Sequence, residues 1–98
     1  MLKLKLKTKT MNNETNKIFE KVKEICEGYE YQDAPVLIGS IDDTLYGDLG
    51  LDSLAVVEIA MLCEGEFNIL IDDETICKMR TVKDLVNIIY VHTFENYE

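Results

Sequence analysis

Ser53 stands in the stretch "GDLGLDSLAVVE", residues 47–58, between Asp52 and an almost wholly apolar run. A hydroxyl in that place has three chemical uses. It caps a helix, its oxygen accepting a hydrogen bond from an early backbone N–H. It acts as a nucleophile, which requires a base within reach. Or it receives a group from another enzyme. The second use finds no support: His92, near the C-terminus, is the only histidine, and no Gly-x-Ser-x-Gly elbow surrounds Ser53. As a cap, Ser53 would open the helix that follows, although Val56 denies it a capping box. As an acceptor, a serine at a helix start suits a phosphodiester, because the free N–H groups and the helix dipole stabilise an attached phosphate.

Other reactive side chains point to no catalyst. Cys26, Cys63 and Cys77 lie within apolar helical patterns and form neither a CxxC pair nor a zinc spacing with His92. They are expected to be buried free thiols of a reducing, cytoplasmic compartment. Asp42, Asp43 and Asp48 do not match an EF-hand loop, so caps and solvated surface are expected there, and no metal site. His92, Tyr90 and Tyr97 read as surface or edge packing with no partner to name.

The helix after Ser53 is unusually apolar. Nine of the ten residues from Leu54 to Cys63 are apolar, Glu58 being the exception. A helix apolar all round belongs in a large core or a membrane. Ninety-eight residues make one small domain with a thin core, and no apolar run reaches the roughly 18 residues of a membrane span. One face is therefore expected to be exposed for a purpose. At about 100° per residue, Leu54, Val57 and Met61 share a stripe with Glu58 and Glu64 on either side. Val56, Ile59, Ala60, Cys63 and Phe67 fall on the opposite, core side. An apolar stripe with an acidic rim is a docking surface for a basic partner; the competing reading is that the stripe packs beneath the preceding loop.

The elements that position Ser53 follow from periodicity. Ile18, Val22, Ile25, Cys26 and Tyr29 predict a helix over residues 14–28, with Asn13 or Thr15 as cap and Gly28 as stop. A long connection to about residue 52 holds Pro35, Gly39, Gly47 and Gly50. Connections of that length tend to be functional. Val36, Leu37, Ile38, Ile41, Leu45 and Leu49 can anchor it, and "DDTL" could form one helical turn. Further helices are expected over 53–67, 73–78 and from Val82 onward, with Val82, Leu85, Val86 and Ile89 inward. Thr81 and Asp84 resemble a capping box for the last. The sum is an all-α four-helix bundle: three main helices, a short one and a long loop.

Charge narrows the partners. Lys3, Lys5, Lys7 and Lys9 precede the first acidic residue, and from Met11 onward six basic residues face nineteen acidic ones, a net −13. Such a chain repels nucleic acid and anionic membranes and attracts basic surfaces. The strand-like "MLKLKLKTKT" lacks the apolar core of a secretory signal. Residues 1–12 are read as a disordered extension, an expression tag or an upstream start, and 13–98 as the folded domain.

"DTLYGDLGLDSLAVVEIAMLCEGEFNILIDDE" followed by "TVKDLVNII" resembles the acyl carrier proteins. The Asp-Leu-Gly-x-Asp-Ser-Leu core is Asp48–Leu54, the helix-two Val-Glu is Val57-Glu58, and the Glu-x-x-Phe-x-Ile-x-Ile tract is "EGEFNILI". The final Thr-Val-x-Asp is Thr81–Asp84. The resemblance covers about residues 15–92 and implies the acyl-carrier-like bundle. It further implies that Ser53 bears 4′-phosphopantetheine, taken from coenzyme A by a separate phosphopantetheinyl transferase (holo-acyl-carrier synthase). The arm's thiol would hold acyl groups as thioesters for acyl-transferring and synthase enzymes with basic docking patches, in fatty-acid, polyketide or related biosynthesis. The chain would be a monomeric carrier, not an enzyme, and family carriers can tuck the acyl chain between helices. Asp52, Leu54, Val57, Glu58, Met61 and Glu64 would form the partner surface. Ala55, Val56, Gly65 and Asp72 depart from the family's usual residues, and Lys78, Arg80 and Lys83 add positive charge. These departures point to a specialised carrier with a thinned acidic patch. An aminoacyl carrier and an unmodified helical interaction module are the alternatives.

Overall fold

The computed structural model describes residues 13–95; the N-terminal extension and Tyr97 lie outside them. Helix α1 spans Asn13–Glu27, followed by a hairpin of β1 (Glu30–Tyr31) and β2 (Ala34–Pro35). After a loop come α2 (Ser53–Phe67), α3 (Asp73–Lys78) and α4 (Val82–Tyr90), which runs on into a π-helical turn at Val91–Glu95. The helical bundle is as expected; the hairpin inside the long connection is an addition to it. Asn13 and Thr15 both stand inside the described helix, so neither is the expected cap.

The hairpin escaped the sequence reading for a physical reason. Its two-residue turn needs positive φ at both central positions, which usually selects Asn-Gly or Gly-Gly. Here Gln32 (φ 56°) and Asp33 (φ 68°) adopt that conformation. Glu30 pairs with Pro35 and Tyr31 with Ala34. Proline is tolerated at such an edge because its missing N–H breaks no further ladder. The Val36 amide then donates to the Cys26 carbonyl (3.3 Å), pinning the hairpin's exit to the end of α1.

The rest of the loop is built from turns rather than the expected helical turn, and its acids tie it together. Asp43 Oδ2 accepts from the amides of Gly39 (2.8 Å) and Ser40 (3.2 Å). Asp48 Oδ2 accepts from the Thr44 amide (2.9 Å), and Thr44 Oγ1 accepts in return from the Asp48 amide (2.8 Å). Added at Gly47, a Cβ would lie 2.7 Å from Thr44 Oγ1, and Gly50 takes φ +67°, so both glycines are required by geometry. The loop is moored to the start of α4: Leu45 N donates to Arg80 O (2.9 Å), Val82 N to Asp43 O (3.0 Å) and Lys83 N to Ile41 O (2.8 Å).

Each later helix is capped by a side chain. Asp72 accepts from Thr75 N (2.8 Å). Thr81 and Asp84 complete the expected capping box. Arg80 closes the end of α3, its guanidinium donating to the carbonyls of Cys77 and Met79. The core joins Ile18, Val22 and Cys26 of α1 to Leu45 and Leu51 of the loop, one face of α2, and Leu85, Val86 and Ile89 of α4. Between them lies an apolar cavity of about 10 Å³, lined among others by Val22, Leu45, Val56, Ile59 and Leu85. His92 does have a partner: its ring Nδ1 lies 2.9 Å from the Ile88 carbonyl, which accepts its proton. Tyr90 is buried and stacks at a tilt against Phe94.

The cysteines divide. Cys26 and Cys63 are buried, but Cys77 is exposed, correcting the expectation of three buried thiols. Burial pushes the Cys26 thiol up to about 11 and the Cys63 thiol up to about 12. The thiolate is the reacting form. Iodoacetamide at neutral pH should therefore add one group to the folded apo protein, at Cys77, and three after unfolding in urea. Rapid native labelling of Cys26 or Cys63, read by peptide mass mapping, would show that the core is open.

Candidate functional site

Ser53 is the first residue of α2, and its side chain is exposed. The expected Ser53 cap is corrected: Asp52 is the N-cap, its Oδ1 accepting from the Ala55 amide at 2.8 Å. Both residue types favour caps, but the helix begins at Ser53, one residue earlier than a Ser53 cap would allow. Val56 N is taken by the Asp52 carbonyl (3.1 Å). Among the described residues, no hydrogen bond engages the Ser53 hydroxyl or the amides of Ser53 and Leu54. The hydroxyl is thus free to react, beside two unused backbone donors. Those donors fit an attached phosphate group.

Gly50, with its left-handed backbone, delivers the chain to this helix start, and Leu51 plugs into the core beneath it. Leu51 N also donates to Leu45 O (3.0 Å). The approach to Ser53 is therefore fixed on both the loop side and the helix side.

The partner surface expected on α2 divides by exposure. Leu54 is 64% exposed and Met61 58%, so the loop does not cover them. Val57 is half-buried and packs against the core. Leu62, 48% exposed, joins the apolar face and was missed, although it sits eight residues after Leu54, on the same side of the helix. Ala55 and Val56 are buried, so they serve the core and do not thin the acidic rim as expected.

The acids are held in different ways. Glu64 is half-buried, and its Oε2 accepts from the Ile71 amide (2.8 Å), binding the end of α2 to the segment before α3. Its backbone carbonyl also accepts from the amides of Asn68, in the left-handed conformation, and Ile69. Glu58 accepts a hydrogen bond from the Tyr29 hydroxyl. That bond is the leading cause pushing the Tyr29 phenol up to about 12, followed by burial and by the charges of Glu58 and Asp52. The Tyr31 phenol is also raised, by burial first and then by the charge of Asp52. Sequence reasoning missed Tyr29 as a site residue: its place in the helical pattern of α1 points to the core, whereas it follows that helix and meets Glu58.

Comparison with known proteins agrees with this geometry. Residues 20–89 match the family described as "Phosphopantetheine attachment site". An acyl carrier protein of Clostridium acetobutylicum is 41% identical over 78 residues, 80% of this chain and 99% of that protein. One from Petrotoga mobilis is 36% identical over 74 residues, 76% of this chain and 85% of its own length. The crystal structure of an acyl carrier protein from Thermotoga maritima superposes with a TM-score of 0.71 at 31% identity, covering 85% of this chain and 94% of the other.

Proposed function

The chain belongs to the acyl carrier protein family, and on that premise we propose that Ser53 is the residue that bears its 4′-phosphopantetheine. The observation that carries this reading is the division of labour at the start of α2. Asp52 does the capping, which leaves the Ser53 hydroxyl exposed and uncommitted. Its oxygen would form a bond to the pantetheine-side phosphorus of coenzyme A as the pyrophosphate bond breaks and 3′,5′-adenosine bisphosphate leaves. The modifying enzyme would supply the metal and the base that takes the hydroxyl proton; the one histidine of this chain, His92, is engaged by the Ile88 carbonyl. The free amides of Ser53 and Leu54 would hold the phosphodiester at the helix N-terminus. When bound, the arm supplies a thiol on which acyl groups ride as thioesters.

In this reading the protein is a carrier and not a catalyst, with residues 13–98 as the carrier domain. Asp52, Leu54, Val57, Glu58 and Met61 form the face met by the phosphopantetheinyl transferase and by acyl-handling enzymes with basic patches. Glu64 sits at its edge, with its carboxylate already engaged by Ile71. We assign the acyl cargo to fatty-acid, polyketide or related assembly; the relatives' name, acyl carrier protein, supports the acyl part of that reading. The free cysteines support a reducing, cytoplasmic setting. No helix among the described residues is long and apolar enough to cross a membrane.

Incubating the protein with coenzyme A, magnesium and a promiscuous phosphopantetheinyl transferase is expected to add one phosphopantetheine, read by intact mass. An unchanged mass would favour an unmodified helical interaction module instead.

A further inference from the structure

One carboxylate of the docking face, that of Glu58, is held by a phenol at the entry to the hairpin: the Tyr29 hydroxyl donates to it. The contact is long-range, tying a residue just before β1 to one on α2. The chemistry of the donor decides what it does. A lysine or arginine would fix a carboxylate and cancel its charge. A neutral phenol fixes it and leaves the charge in place. The ion pairs among the described residues join Lys21 to Glu24 and Glu66, and Lys23 to Glu20, all away from Asp52 and Glu58. Among the described residues the negative charge of Glu58 is therefore oriented but unspent, one helical turn from exposed Leu54.

The turn that follows this phenol adds weight. Gln32 and Asp33 both hold a left-handed backbone that non-glycine residues seldom take. Such a conformation persists where the surroundings enforce it. Pairing of Tyr31 with Ala34, and the bond from Val36 N to Cys26 O, supply that enforcement.

We propose that Tyr29 is a positioning residue of the partner surface, holding Glu58 ready for an enzyme that presents lysine or arginine beside an apolar contact. This rests on the reading of α2 as the docking face. The partner chemistry follows from charge: from Met11 onward the chain carries a net −13, and the face pairs a fixed acid with exposed Leu54 and Met61. Ordering a free carboxylate side chain on binding costs about 0.5–1.5 kcal/mol, roughly a twofold to tenfold loss of affinity, and the phenol removes that loss beforehand.

The test measures KM and kcat of a phosphopantetheinyl transferase for the wild type, Tyr29→Phe, Glu58→Gln and the double variant, at low ionic strength. Tyr29→Phe keeps the ring and removes only the donor. It is expected to raise KM about threefold to tenfold at unchanged kcat, and the double variant to be no worse than Glu58→Gln alone. A purely structural tie would leave KM where it is. KM unchanged or lowered in Tyr29→Phe, with KM raised in Glu58→Gln, would overturn the proposal and leave the docking face standing. No change in Glu58→Gln would overturn both. A wild type that is not modified at all would sink the Ser53 reading and this one with it. Amide spectra report whether the hairpin stays folded. If Tyr29→Phe loses it, Glu58→Asp, which keeps the charge but draws the carboxylate back from the Tyr29 hydroxyl, poses the same question: KM raised supports the proposal, and KM at the wild-type value overturns it.

Discussion

Ser53→Ala is expected to abolish phosphopantetheine attachment completely while leaving the fold intact. The intact mass should show no increment after prolonged incubation with coenzyme A and transferase, under conditions that convert all of the wild type. The chemical reason is that alanine offers no oxygen to form the phosphoester. Stability should barely change: the Ser53 side chain is exposed, and no hydrogen bond among the described residues depends on it. Surface substitutions of that kind fall within about ±0.5 kcal/mol. Asp52→Ala should show the opposite pattern in stability. It strips the cap from α2 and leaves the Ala55 amide without its partner, at a cost of about 1 kcal/mol. Had Ser53 been the cap, its own replacement would carry that cost, so urea midpoints of the two variants test the assignment directly. An increment that survives in Ser53→Ala would place attachment at another residue.

The distinction between cap and tether marks where sequence reasoning ran out. "DS" contains two good capping residues in succession, and periodicity locates a helix start only to within a residue or two. The helices themselves were legible because their signals are local: Thr81 and Asp84 specify a capping box whatever surrounds them. The hairpin was not, because Gln32 and Asp33 are forced into a turn that their own preferences do not select. Long-range contacts were equally silent. Nothing local in Tyr29 announces that it meets Glu58, or that Glu64 turns inward to Ile71. The apolar excess of α2, by contrast, was visible in composition alone, and Leu54, Met61 and Leu62 are indeed left uncovered. Only the division between Val57 and Leu62 needed the fold, since the loop and α1 decide which edge of the helix is sheltered.

The largest expected effect on stability comes from Leu85→Ala. Leu85 is 2% exposed and lines the apolar cavity between α1, the loop, α2 and α4. Truncation removes buried methyl groups and joins their space to a void already there. The loss is expected at about 2–5 kcal/mol, because neighbours held by capped helices collapse only partly. Against a total of about 5–15 kcal/mol for a typical domain, that should shift the urea midpoint strongly. The same change tests how the core relates to cargo. At about 10 Å³ the natural cavity has room for roughly one water molecule, far less than an acyl chain needs. A chain entering here must part the helices, each buried CH₂ returning about 0.8 kcal/mol against that cost. Leu85→Ala makes the room in advance. Apo Leu85→Ala should therefore gain stability from benzene where the wild type gains none. Loading an octanoyl group on the arm should recover more stability in the variant than it adds to the wild type. Equal gains in both proteins would place the chain outside this cavity.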